Sequence, residues 1–154
     1  MPKSDNPGVK IPPPLFFLVF LLIGLYFNSA WAEGHAASLF LTLIGGLFAA
    51  IGVIYLAHSA RKHKTAGSNV EPWKPTTTII SDGVYKYSRN PIYVAMAAVY
   101  LGIAIAAGSW LAIVTLPVCL AFIRYYVIAK EEAYLEDKFG NEYLDYKMRV
   151  RRWL

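Results

Sequence analysis

Two stretches of the chain, Ile11–Ala32 and Ala36–Ala57, contain no Lys, Arg, Asp or Glu. Each is 22 residues long, enough for a helix to cross a hydrocarbon core that needs roughly 20. Only Glu33-Gly34-His35 separates them, which predicts a very short turn. A third charge-free run, Pro91–Ile123, has 33 residues. As one helix it would measure about 50 Å, well beyond a core of about 30 Å. Gly108-Ser109 divides it, so the pattern predicts a hairpin of two helices, at 91–107 and 110–128. Pro91 suits a first helical turn, where its missing N–H has no partner to lose. Pro117 is expected to kink the last helix. The prediction is an all-α, single-domain bundle over 1–154, with spans at 11–32, 36–57, 91–107 and 110–128. A polar loop, 58–90, joins the two halves. From Lys130 the apolar positions Leu135, Phe139, Tyr143 and Tyr146 recur every three or four residues. They predict an amphipathic helix over 130–150 that lies on the membrane surface or folds over the helix ends. Gly140 would allow it to bend.

Composition agrees with a bilayer setting. The hydrophobic share is 56% and the charged share 16%, against about 45–50% and 25% in soluble domains. All fifteen Lys and Arg lie before the first span, between Arg61 and Arg89, or from Arg124 onward. With an even number of spans those three regions share one side, expected to be the cytoplasm, in a bacterial inner membrane with both termini inside. The net charge of +5 therefore reflects orientation and not nucleic-acid binding. Lys3, Lys10, the first apolar run and Ala30-Trp31-Ala32 also resemble a cleavable signal peptide, although the run is long for one. Cys119 is the only cysteine, so no disulfide forms within the chain, and its place in an apolar run predicts burial. His58 and His63 have no second ligand cluster at metal spacing, and no metal is expected. A phosphate-binding glycine loop of the Gly-x-Gly-x-x-Gly type is absent, as is any strand pattern. Small residues four apart, such as Gly45/Ala49 and Gly102/Ala106, allow close helix packing.

Polar chemistry gathers at the helix ends. Gly83-Val84-Tyr85-Lys86-Tyr87-Ser88-Arg89-Asn90-Pro91-Ile92-Tyr93 opens directly into the third apolar run. Arg89 beside a helix start would suit a carboxylate or phosphate, or serve only as a flanking charge. Tyr85, Tyr87 and Tyr93 fit either a pocket or the aromatic belt of the interface. Arg124 precedes Glu131 by seven residues, two α-helical turns, so both would share a face. One reading makes Arg124, Glu131 and Glu132 a polar pocket roofed by the terminal helix. The other lets Arg124 snorkel to the headgroups.

These residues resemble the isoprenylcysteine carboxyl methyltransferase and phospholipid methyltransferase superfamily of integral membrane enzymes. The family pattern Arg-His/Asn-Pro-x-Tyr stands here as Arg89-Asn90-Pro91-Ile92-Tyr93, after Gly83-x-Tyr85. A second block stands as Glu131-Glu132, Leu135, Phe139-Gly140, Tyr143 and Tyr146, followed by Arg149 and Arg152-Trp153. Asn90 occupies the place of the His in the eukaryotic prenylcysteine enzymes, as in bacterial relatives, which argues against a prenylated protein as acceptor.

The resemblance implies S-adenosylmethionine as cofactor, bound between the last two membrane helices and the C-terminal segment. The implied cofactor residues are Tyr85, Arg89, Asn90, Pro91, Tyr93, Arg124, Glu131, Glu132, Tyr143 and Tyr146, with Arg89, Asn90 and Glu132 nearest the chemistry. Glu131 and Glu132 would serve the amino group and ribose side. Arg89 and Asn90 would hold the carboxylate or orient the acceptor, and Tyr93, Tyr143 and Tyr146 would pack on adenine. The expected acceptor is a lipophilic small molecule or membrane lipid bearing a carboxylate, thiol or amine. The reading from another class is a non-catalytic membrane scaffold or small-molecule binder that keeps the fold.

Overall fold

The computed structural model describes residues 5–31 and 37–154. The predicted turn at Glu33–His35, along with Lys3 and Ala32 of the signal-like segment, lies outside the described residues. Within them every regular element is a helix. Helix α1 is Pro13–Trp31, α2 Leu39–Thr65, α3 Pro91–Ala106, α4 Trp110–Phe122, α5 Ala129–Phe139 and α6 Asn141–Arg149. A 3-10 turn, Gly83–Lys86, precedes α3, and a wide π-helical stretch, Ile123–Ile128, joins α4 to α5 without a break. Among the described residues, three helical stretches are long and apolar enough to cross a membrane: Pro13–Ala30, Leu39–Thr65 and Trp110–Phe139. The apolar helix α3 is shorter.

Helix α2 runs past the expected end of its span. No Gly or Pro intervenes between Ala57 and Gly67, so nothing in the chain stops the helix. Lys62, His63 and Lys64 fill its last turn, where cations meet the negative end of the helix dipole. The segment 58–65, expected as loop, is therefore helix and delivers His63 to the far end of the bundle. The hairpin after α3 forms where predicted. Gly108 turns the chain at φ +62°, a conformation that only glycine adopts cheaply. Ser109 then caps α4 by accepting from the Ala112 N–H at 3.2 Å and donates to the Gly24 carbonyl of α1.

The expected single surface helix over 130–150 is instead two helices. Its first half prolongs the membrane helix, giving 30 continuous residues, or about 45 Å. Gly140, at φ +52° and ψ −124°, ends it. Helix α6 then folds back, and a Lys147–Glu136 ion pair ties it to α5.

Helix α2 packs along α3 and α1 along α4, with α3 against α4 between the pairs. The core contains Phe17, Leu21, Tyr100, Leu116, Cys119 and Ile123, so the lone cysteine is buried as expected. Tyr100 and Thr115 share a 2.8 Å hydrogen bond inside it, which satisfies both hydroxyls away from water. Leu39, Phe40, Leu43 and Ile54 on the outer side of α2 remain 63–74% exposed. An apolar face of that kind is suited to hydrocarbon.

Candidate functional site

The end of α2, the starts of α3 and α5, helix α6 and the loop 66–82 border one cavity. The turn before α3 is built first. Ser88, fully buried, accepts from the Asn90 N–H at 3.1 Å and donates to the Arg152 carbonyl at 3.3 Å. The Asn90 amide donates to the same carbonyl at 2.9 Å, and the Arg89 N–H donates to the Arg151 carbonyl at 2.9 Å. The Arg89-Asn90-Pro91 segment is thus laced to the last residues of the chain. Pro91 sits in the first turn of α3, where no N–H is needed.

Charge is organised around Glu132. Arg152 grips it with two bonds, Nε to Oε1 and Nη2 to Oε2, both 2.8 Å. Arg89 adds a third contact, Nη2 to Oε1 at 3.3 Å, with its own side chain only 8% exposed. Two guanidiniums on one buried carboxylate leave that carboxylate fully engaged. Arg89 also donates from Nη1 to the Tyr143 hydroxyl at 3.4 Å. Its Nε is buried with no partner among the described residues, a donor that a ligand could satisfy. Glu131 is differently placed. It accepts from the Tyr93 hydroxyl at 2.7 Å and borders the cavity without an arginine upon it.

Helix α6 supplies the tyrosines because Gly140 turns it back. Tyr143 and Tyr146 are buried and meet edge to face at 6.2 Å. Tyr146 donates to the Tyr85 carbonyl at 2.8 Å, which fixes α6 on the 3-10 turn. Burial, with Glu132 nearby, pushes the Tyr143 phenol up to about 12. Burial does the same to Tyr85 and Tyr146, more strongly, so all three rest as neutral hydroxyls. Across the cavity, His63 Nε2 and the Tyr85 hydroxyl lie 2.6 Å apart.

Of the residues expected from the sequence, Tyr85, Arg89, Asn90, Pro91, Tyr93, Glu131, Glu132, Tyr143 and Tyr146 all line this cavity. Arg124 does not. It faces a separate, mostly apolar groove with Pro117, Leu120, Tyr125 and Trp153, and its guanidinium lies 5.4 Å from the Tyr125 ring. The heptad spacing that aligned it with Glu131 assumes α-helical turns. The π-helical stretch Ile123–Ile128 holds more residues per turn, so the two side chains rotate apart. Arg124→Ala is accordingly expected to leave cofactor affinity within about twofold of wild type, as ligand titration would show. A loss of tenfold or more would place Arg124 back in the site.

Two site residues carry no role in the sequence reading. Arg152 belongs to the basic-aromatic end of the second block, but only the fold turns it onto Glu132. The charge pattern puts His63 in a loop, whereas the unbroken run without Gly or Pro from Ala57 is the signal that places it on α2. The structure groups no three metal-ligating side chains among the described residues.

Residues 40–142 match the family model for phospholipid methyltransferase. An uncharacterized protein of Haemophilus influenzae is 40% identical over 63 residues, 41% of this chain and 100% of that protein. The protein-S-isoprenylcysteine O-methyltransferase of Schizosaccharomyces pombe is 34% identical over 74 residues. That match covers 47% of this chain and 30% of the yeast enzyme. No solved structure matches. With well over half its length in the family match and its long apolar helices, the chain belongs to the phospholipid methyltransferase family of integral membrane proteins.

Proposed function

We propose that the protein transfers a methyl group from S-adenosylmethionine to a lipophilic or membrane-associated acceptor at the cytoplasmic face. The observation that carries this reading is the convergence of both sequence blocks on one cavity, which Glu131, hydrogen-bonded to Tyr93, and Arg89, its Nε unpartnered among the described residues, both border. In this reading α3 is a fourth span, both termini are cytoplasmic, and the membrane is the bacterial inner membrane. The distribution of Lys and Arg supports that orientation.

The donor set fits the proposed cofactor. Arg89, through Nε, would hold its carboxylate, and Glu131, oriented by Tyr93, would hold its ammonium or face its sulfonium. Tyr143 and Tyr146, with Ile79, Ile80 and Leu135, offer an aromatic and apolar wall for adenine. Glu132 binds no ligand in this scheme: it positions Arg89 and Arg152. The cavity measures about 120 Å³, small beside the roughly 300–1,000 Å³ of ordinary small-molecule sites.

Once bound, the cofactor supplies an electrophilic methyl group on a cationic sulfur. The chain's own contribution is alignment and exclusion of water. Tyr85, Tyr93, Tyr143 and Tyr146 are buried and would help exclude water from bound cofactor, and Arg89, held by Glu132 and Tyr143, keeps one orientation.

Calorimetric titration of the purified protein with S-adenosylmethionine and its demethylated product tests the reading. Micromolar affinity is expected, falling at least tenfold in Glu131→Gln with the melting temperature retained. No binding by well-folded wild type, in detergent and again in bilayer discs, would overturn it.

A further inference from the structure

One border of the cavity comes from residues that the family match does not reach. Residues 5–10 precede α1, and the match begins at residue 40. Within this segment Val9 is 1% exposed and belongs to the hydrophobic core, while Pro7 borders the cavity, as do Thr76 and Ile79 of the 66–82 loop. The segment is fastened at its start. Asp5 Oδ1 accepts from the Tyr134 hydroxyl at 2.7 Å and from Lys138 Nζ at 2.6 Å, two side chains one turn apart on α5. The same hydroxyl accepts from the Thr76 N–H at 3.2 Å and from Lys138 Nζ at 3.0 Å. The Asn69 amide donates to the Pro75 carbonyl at 2.8 Å and the Thr77 hydroxyl to the Gly67 carbonyl at 3.0 Å. These bonds brace the loop internally, so its tie at Thr76 acts on the whole of it. Two segments that border the cavity therefore hang on one hydroxyl. Tyr134 does not itself border the cavity, so any effect it has on a ligand passes through them.

We infer that residues 5–10 form a strap along the cofactor cavity, latched through the Tyr134 hydroxyl to α5 and to the 66–82 loop, and that this latch governs how fast the nucleoside product leaves. This inference rests on the methyltransferase reading and deepens it. Val9 holds the strap in the core, so breaking the bonds of Asp5 frees one end only. A ligand that touches both Pro7 and the loop favours the latched arrangement, and by reciprocity the latch favours the bound ligand by the same factor. The fastening suits a latch that opens on each turnover. The side chains of Asp5 and Lys138 are 61% and 27% exposed, and exposed ion pairs hold weakly and are screened by salt. Tyr134 is a positioning residue here: it touches the strap and the loop, not the cofactor.

The test measures release of the demethylated cofactor from the full chain in bilayer discs. This probe carries no net charge at neutral pH, so salt acts chiefly on the protein. Tyr134→Phe keeps the ring that Lys138 approaches to 5.4 Å and removes only the hydroxyl. It is expected to speed release by about fivefold or more, the scale of one lost hydrogen bond. Asp5→Ala should speed it by about threefold, because Thr76 keeps its bond to Tyr134. High ionic strength should speed release from wild type and leave Asp5→Ala unmoved. Asp5→Lys alone should release quickly, and Asp5→Lys combined with Lys138→Glu should recover slow release. Asp5 and Lys138 lie at the surface, so these variants keep the test open should Tyr134→Phe fail to fold. The inference is overturned if the folded variants release at the wild-type rate, if the charge exchange restores nothing, or if salt speeds wild type and Asp5→Ala alike. A lower melting temperature with unchanged release would make the strap a structural tie only, and would equally overturn it. Cofactor binding by wild type with any of those results sinks this inference alone. Absence of cofactor binding by wild type sinks the methyltransferase reading with it.

Discussion

Glu132→Ala is expected to lower folding stability by about 3–5 kcal/mol, the usual cost of removing one partner from a buried ion pair. The carboxylate satisfies Arg152 through two 2.8 Å bonds and Arg89 through a third contact. Its removal leaves Arg89, whose side chain is 8% exposed, as a cation with little water to replace the lost partner. The damage does not stop at charge. Arg152 also presents the backbone carbonyl that receives Ser88 and Asn90, so a displaced C-terminal strap loosens the turn that starts α3. Cofactor affinity should therefore fall along with stability. Arg152→Ala should do less, because its side chain is 30% exposed and Glu132 keeps Arg89. Denaturant unfolding in a single detergent checks both. Equal losses in the two variants, or less than 1 kcal/mol for Glu132→Ala, would show that the carboxylate is not the centre of this network.

The bundle was legible in the sequence to the extent that one physical rule governed it. Charge-free runs report helices in hydrocarbon, and α1, α3 and the hairpin at Gly108 lie close to where those runs put them. Rules about charge alone fail where a helix leaves the membrane. Helix α2 continues through Arg61 and Lys64 to Thr65, because a polar residue does not end a helix unless it also breaks backbone hydrogen bonding. The same error hid His63. At the other end, spacing along α4 and α5 assumed one helical period, and the π-helical stretch changed it, which sends Arg124 to the far groove. Nine residues of the cavity could be named from two short blocks, since residues at successive helix starts and ends meet at one end of any antiparallel bundle. Their division of labour could not. Glu131 and Glu132 are neighbours of identical type, and only the fold gives one to Tyr93 and the other to two arginines.

Gly45→Ala, a change of one methyl group, is expected to separate α2 from α3 and to cost more than its size suggests. A Cβ at Gly45 would lie 2.3 Å from the Ala106 backbone nitrogen and 2.4 Å from the Gly102 carbonyl oxygen. Neither is a side chain that can turn aside. The helices must move, and forced overpacking of this kind costs about 1–3 kcal/mol. The neighbouring glycine is the control: a Cβ at Gly46 meets nothing within 4 Å, and Gly46→Ala should be neutral or slightly stabilising, since alanine is the better helix former. The effect should also travel. Helix α2 carries His63, and α3 begins at the Arg89-Asn90-Pro91 turn, so a wedge at Gly45 shifts the two walls of the cavity relative to each other. Gly45→Ala should weaken cofactor binding from the opposite end of the helix pair, whereas a purely local strain would lower stability with affinity intact. Melting temperature and cofactor titration, measured on both alanine variants, separate those outcomes. Equal stability of Gly45→Ala and Gly46→Ala would mean that α2 and α3 do not pack as closely as the glycine contacts require.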